Sequence, residues 1–192
     1  MLRLGRMQGL NVIRIQVEMQ RAGWKIASGS RRFATKSTAT YHLVGAGSGV
    51  KCTMQRNDGM TVSTDIPKAV GGTNTAPQPV EVFLSSLCGC ELATAQFVAR
   101  HMKPRMHIEK IEFDVRASRD NAGALQLPLG NPSQPLARLQ RIWGEARVYT
   151  SGTQDDVDVL AKEVKLRCPI ANMTVLSGCA LEIEWKKAED DN

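Results

Sequence analysis

Aromatic residues are scarce in this 192-residue chain, at 5%, so any core it builds must be mostly aliphatic. Its five cysteines are Cys52, Cys88, Cys90, Cys168 and Cys179. None forms a C-x-x-C pair and no His lies at finger-like spacing, which argues against a structural zinc site. Five are also too few for a disulfide-stapled scaffold, so the chain reads as one from a reducing compartment with thiols free for chemistry. His42, His101 and His107 fall in no triad or metal motif. There is no phosphate loop, and Gly45-Ala46-Gly47-Ser48-Gly49 lacks the following helix that a dinucleotide site needs. That stretch reads as a turn. No cofactor and no metal are therefore expected. The richest apolar run, Val80 to Ala99, is broken by Glu81, Ser85, Ser86, Glu91 and Gln96, so no membrane span is expected.

Acids are nearly missing from one end. Residues 1–36 hold eight Lys and Arg against Glu18, leaving 17 of the 25 basic and 18 of the 19 acidic groups for the rest. The net charge of +6 thus belongs to the extension. A nucleic-acid-binding domain carries its charge on the folded part, so that partner is excluded. Arg-rich, Ser-containing, acid-poor composition suits a mitochondrial transit peptide, and Arg31-Arg32-Phe33-Ala34 resembles a processing site. Against this, Ile13, Ile15, Val17 and Met19 alternate with polar residues as in a strand, which leaves a basic arm as the other reading. The location is the mitochondrial matrix on the first reading and the cytoplasm on the second.

Residues 37–187 read as one α+β domain, with 188–192 an acidic tail. Short strands are expected at Tyr41–Val44, Val50–Arg56 and Met60–Ile66, the last two joined by the turn Asn57-Asp58-Gly59. Pro77 and Pro79 open a helix that runs to His101 and is apolar almost all round, as a buried helix is. Ile108–Arg119 alternates like a half-exposed strand. Asn121–Leu139 is a long loop of the kind that is often functional, and Arg141–Thr150 is a strand. Thr153 caps a second helix with Asp155 and Asp156 in its first turn. Cys168-Pro169 interrupts it, Pro169–Leu176 resumes as a third helix, and Cys179–Lys186 is the last strand.

Two of these positions carry the chemistry. Gly89, between Cys88 and Cys90, costs a helix roughly 1 kcal/mol relative to Ala, which suggests close approach of another backbone or a ligand there. Cys168 precedes a proline that opens a helix, where backbone N–H groups and the dipole can stabilise a thiolate. Cysteines in apolar helices also serve as small core fillers, and Cys52 and Cys179 are assigned to packing on strands.

Together, Pro77-Gln78-Pro79-Val80-Glu81-Val82-Phe83-Leu84-Ser85-Ser86-Leu87-Cys88-Gly89-Cys90 and Cys168-Pro169-Ile170-Ala171-Asn172 resemble the two signature helices of the OsmC/Ohr superfamily. The likeness covers about Tyr41 to Lys186. It implies an OsmC-like fold, antiparallel sheets wrapped around buried central helices in an intertwined homodimer. It also implies a thiol peroxidase that reduces organic hydroperoxides, with Cys90 peroxidatic, Cys168 resolving, Glu81 the first motif's carboxylate, and a dithiol reductant, for which a dihydrolipoyl protein is the family-based expectation. Peroxidase members place an Arg before the first helix to pair with that Glu. Here Met60–Ala76 contains no Arg, and Lys68 is its only cation. A non-catalytic small-ligand binder and a thiol redox sensor are the alternatives. Residues of the long loop are expected to line the substrate pocket.

Overall fold

The computed structural model describes residues 38–131 and 134–189. The basic extension of residues 1–36, with its transit-peptide and strand readings, and residues 190–192 of the acidic tail lie outside them. Two three-stranded sheets and four helices make up the rest. The first sheet is an antiparallel meander of β1 (Val44–Ser48), β2 (Lys51–Gln55) and β3 (Thr61–Thr64). The β2–β3 turn is the expected one: Gly59 adopts φ 89°, and Gly59 N donates to Arg56 O at 3.0 Å. The glycine-rich stretch read as a turn is instead mostly β1, paired residue by residue with β2. Glycine permits this, because a Cβ at Gly45 would stand 2.2 Å from Thr53 O. The turn itself falls later, at Gly49.

The loop after β3 is fixed by one buried carboxylate. Asp65 accepts from Ile66 N (2.8 Å), Thr73 Oγ1 (2.5 Å) and Thr75 N (3.0 Å), and is fully buried. The Thr73 hydroxyl and the Thr75 N–H hold its pKa well below the usual carboxylate range, against the opposing effect of burial. Lys68–Val70 forms a 3-10 turn inside this loop, and Lys68 is exposed.

Helix α1 (Pro79–His101) begins with a proline in its first turn, and the Glu81 carboxylate accepts from Gln78 N at 2.7 Å. Strand β4 (Ile108–Ser118), the short helix α2 (Ala122–Leu125) and strand β5 (Arg141–Thr150) follow. Helix α3 (Gln154–Arg167) is capped by Thr153, whose hydroxyl accepts from Asp156 N while Asp156 Oδ2 accepts from Thr153 N. Helix α4 (Pro169–Leu176) and strand β6 (Ala180–Lys187) end the domain.

The second sheet has the order β4-β5-β6. It corrects the all-antiparallel expectation: β4 and β5 are antiparallel, but β5 and β6 run parallel through the α3–α4 crossover. Parallel strands need such a long connection. Leu87, Ala95, Val98 and Ala99 of α1, Val157, Leu160 and Val164 of α3, and Ile142, Ala146 and Val148 of β5 form the aliphatic core.

Helix α1 corrects two further expectations. By length and composition it could cross a membrane, at mean hydropathy 1.4 over its best window. Here it is a core helix, and only on one stripe. Leu87, Glu91, Ala95, Val98 and Ala99 are buried, while Phe97 is 50% exposed.

Removing the Asp65 carboxylate (Asp65→Ala) is expected to lower Tm by several degrees at pH 7. The group's folded pKa is depressed, so its stabilisation is present above the ordinary carboxylate pKa and lost as pH falls below it. Thermal melts of wild type and variant at pH 7 and pH 3 should therefore converge on the acid side.

Candidate functional site: a buried cysteine pair

Pro169 has no N–H and disfavours helical φ/ψ at the residue before it. Cys168 accordingly sits at φ −71°, ψ 115°, as the C-cap of α3 and the N-cap of α4. Its N–H donates to Val164 O at 2.8 Å, and its Sγ accepts from Ala171 N at 3.4 Å. Asn172 secures the break, with Nδ2 donating to Cys168 O at 2.8 Å and to Lys165 O at 3.3 Å.

This corner brings the two motif cysteines together. Cys90 packs against the core cluster that contains Cys168, and beyond the effect of burial its thiol helps push the Cys168 thiol up. Cys90 is half-buried against the core, and Cys168 is fully buried. The helix-cap argument for a stabilised Cys168 thiolate is corrected. Burial pushes that thiol up to about 11, and the single Ala171 N–H does not offset it. Cys88 is likewise pushed up to about 11, by burial and then by the nearby Glu91 carboxyl.

Glu81 does not join the pair. It is exposed, engaged in capping α1, and nine residues before Cys90, which is about 13 Å along a helix axis. Among the described residues no cation pairs with it. Gly89 also differs from expectation: among the described residues, nothing outside its own stretch of helix lies within 4 Å of a Cβ placed there, so none of them accounts for the glycine by close approach.

Glu91 is the residue that sequence reasoning passed over. It is 4% exposed, and its Oε2 has no hydrogen-bond partner. Burial pushes its carboxyl up to about 7. It borders a cavity of about 150 Å³ with Ala161, Lys162, Val164, Lys165, Leu181, Ile183 and Trp185. A signal was present: Leu87, Glu91, Ala95 and Val98 share helical spacing, so an acid stood in the stripe that had to be buried.

A larger cavity, about 430 Å³, lies between the start of α1 and α4. Pro79, Val80, Phe83, Met173 and Leu139 of the long loop are on its wall. Cys179, buried in the core just before β6 as its packing assignment has it, lines this cavity too. Neither Cys90 nor Cys168 is on the wall. Among the described residues no cluster of His, Cys, Asp and Glu could hold a metal.

The sequence pattern of the OsmC-like protein family matches residues 72–184, more than half the chain, and the chain belongs to that family. Solved structures agree on the fold. An OsmC-like protein from Mycoplasma pneumoniae is similar at 20% identity and TM-score 0.64, covering 80% of this chain and 100% of that one. An organic hydroperoxide resistance protein from Elizabethkingia anophelis gives 15% and 0.60, over 80% and 100%. The OhrB protein of Bacillus subtilis gives 17% and 0.53, over 77% and 98%. No curated protein matches the sequence.

Glu91 makes stability pH-dependent with a definite sign. Its folded pKa is raised, so the folded state holds the proton longer than the unfolded chain does. Stability falls as pH rises from about 4.5 to about 7. Glu91→Gln should remove this penalty, making the variant more stable than wild type by about 3 kcal/mol at pH 8 and by little at pH 4. Denaturant unfolding at the two pH values measures it.

Proposed function

We infer that the protein is a cysteine-based peroxidase of organic hydroperoxides, acting as a homodimer. The observation that carries this is that Cys90 packs against the apolar core holding Cys168, near enough for its thiol to add to the effect of burial in raising the Cys168 pKa. A Cys90 thiolate attacks the distal peroxide oxygen, leaving Cys90 sulfenic acid and the alcohol. The Cys168 thiol then displaces the sulfenic hydroxyl, giving a disulfide and water. A dithiol, of dihydrolipoyl type, restores both thiols by exchange. The names of similar structures from Elizabethkingia anophelis and Bacillus subtilis, organic hydroperoxide resistance proteins, support the substrate class.

Surface left uncovered supports the dimer. Val44, Met60 and Val62 of the first sheet's region and Phe97 of α1 are about half exposed or more, and among the described residues nothing outside its own helix backbone lies beside Gly89. A second copy covers such surface by wrapping its meander over α1. The Arg absent from Met60–Ala76 is then replaced by a cation from another part of either copy. The mitochondrial matrix is the proposed location, with residues 1–36 as transit peptide; N-terminal sequencing of the native protein that begins at Met1 removes it.

One observation favours a second reading. The 430 Å³ apolar cavity suits a small lipid-like ligand, and it lies away from the thiols. A binding protein needs no fast thiol chemistry.

Stopped-flow thiol loss with cumene hydroperoxide separates the two. Wild type should react far faster than a free thiol, Cys90→Ser not at all, and Cys168→Ser should halt at a sulfenic acid. A wild type no faster than a free thiol leaves the binding reading. In analytical ultracentrifugation the reduced protein should sediment as twice the 21.0 kDa chain.

A further inference from the structure

Disulfide formation poses a proton problem that this site does not solve on its surface. When Cys168 Sγ attacks the Cys90 sulfenic sulfur, the S–O bond breaks as the S–S bond forms. The Cys168 thiol proton must leave, and the departing hydroxide must gain one to become water. Cys168 has no exposed surface, so bulk water cannot take that proton directly.

We propose that Glu91, with the cavity it borders, is the path by which the Cys168 proton leaves and a proton returns to the departing group; the proposal rests on the thiol-pair reading above. Three observations carry it. Glu91 is the residue after Cys90, nearly fully buried, with Oε2 bound to nothing. An unpartnered buried carboxyl is costly, and such a group calls for a role or a bridging water. The cavity on its far side, about 150 Å³, has room for several waters. Val164 lines that cavity, stands one helical turn before Cys168 and accepts from its N–H. The Glu91 charge is felt at Cys168 and at Cys88.

The surroundings fit a group that changes protonation. From α3 the only charged neighbours on the cavity wall are Lys162 and Lys165, both exposed and neither bonded to Glu91. From β6 the wall residues are Leu181, Ile183 and Trp185; Glu182, Glu184 and Lys186 alternate to the other face, and Lys187, on the same face, is not on the cavity wall. β4 contributes none. On α1 and at the α4 cap the titratable groups nearest Glu91 in sequence, or feeling its charge, are the thiols Cys88, Cys90 and Cys168; Glu81, Arg100 and His101 stand nine or ten residues away along α1. Burial pushes the Glu91 carboxyl up to about 7, where it both accepts and gives a proton near neutrality.

The test uses diamide, an azo compound that takes two electrons and two protons from a dithiol and so closes the pair without any peroxide. Full-length protein carrying Cys88→Ser, alone and with Glu91→Gln or Glu91→Asp, is followed from pH 5 to pH 9. The Cys90–Cys168 link is scored by peptide mass. The closing phase should rise with pH through a midpoint near 7. It should be at least about tenfold slower at pH 8 in Glu91→Gln, with the midpoint gone. Glu91→Asp should keep a midpoint, which loss of packing alone does not restore. A Glu91→Gln protein that closes with the wild-type pH profile, or faster, overturns the proposal, since the carboxylate then only repels the thiolate. Failure of the parent protein to close at all overturns it together with the thiol-pair reading. Normal closing without rapid reaction with cumene hydroperoxide upholds the proton path and removes only the peroxidase reading.

Discussion

The site depends on a helix that is not allowed to continue. Residues 154–176 would suit one long helix but for Pro169, which withholds an N–H and forces Cys168 out of helical geometry. That single extended residue turns the chain, ends α3, starts α4 and brings the thiol against α1. Asn172 locks the corner with two hydrogen bonds to carbonyls on the α3 side. Without the break, Cys168 would be one more residue on a helix surface, and Cys90 would have no partner sulfur.

Burial then decides the electrostatics around the corner. The same packing that joins the thiols removes them from water, and it drives Cys88, Cys168 and Glu91 all toward their neutral forms. Asp65 shows the opposite outcome for an equally buried acid. Three donating residues surround it, so hydrogen bonding outweighs desolvation and it stays an anion. The two carboxyls differ in their supply of donors, not in depth.

Local signals in the sequence were strong where they were chemical. Pro79, the Thr153 cap, the Asn57-Asp58-Gly59 turn and the Cys168-Pro169 break place α1, α3, α4 and the β2–β3 hairpin almost to the residue. What could not be read depended on partners far along the chain. Glycine preference says turn at 45–49, but ladder pairing with Lys51–Gln55 outweighs it. Strand alternation names a face and not a neighbour, so the parallel β5–β6 pair was hidden. The even apolarity of α1 concealed which stripe would be buried, and with it the place of Glu91. The cap at Cys168 was legible, but its effect on the thiol was not, because the depth of burial is a property of the whole core.

The Cys168 corner has an evolutionary consequence. The cap asks only for a side-chain acceptor facing Ala171 N, and an oxygen meets that need better than a sulfur does. The turn therefore survives loss of its reactive atom. A lineage could shed or regain redox chemistry by exchanging one atom while keeping its scaffold, its cavities and its assembly surfaces. Chemistry on this frame is a detachable trait, and relatives that share the shape need not share the reaction.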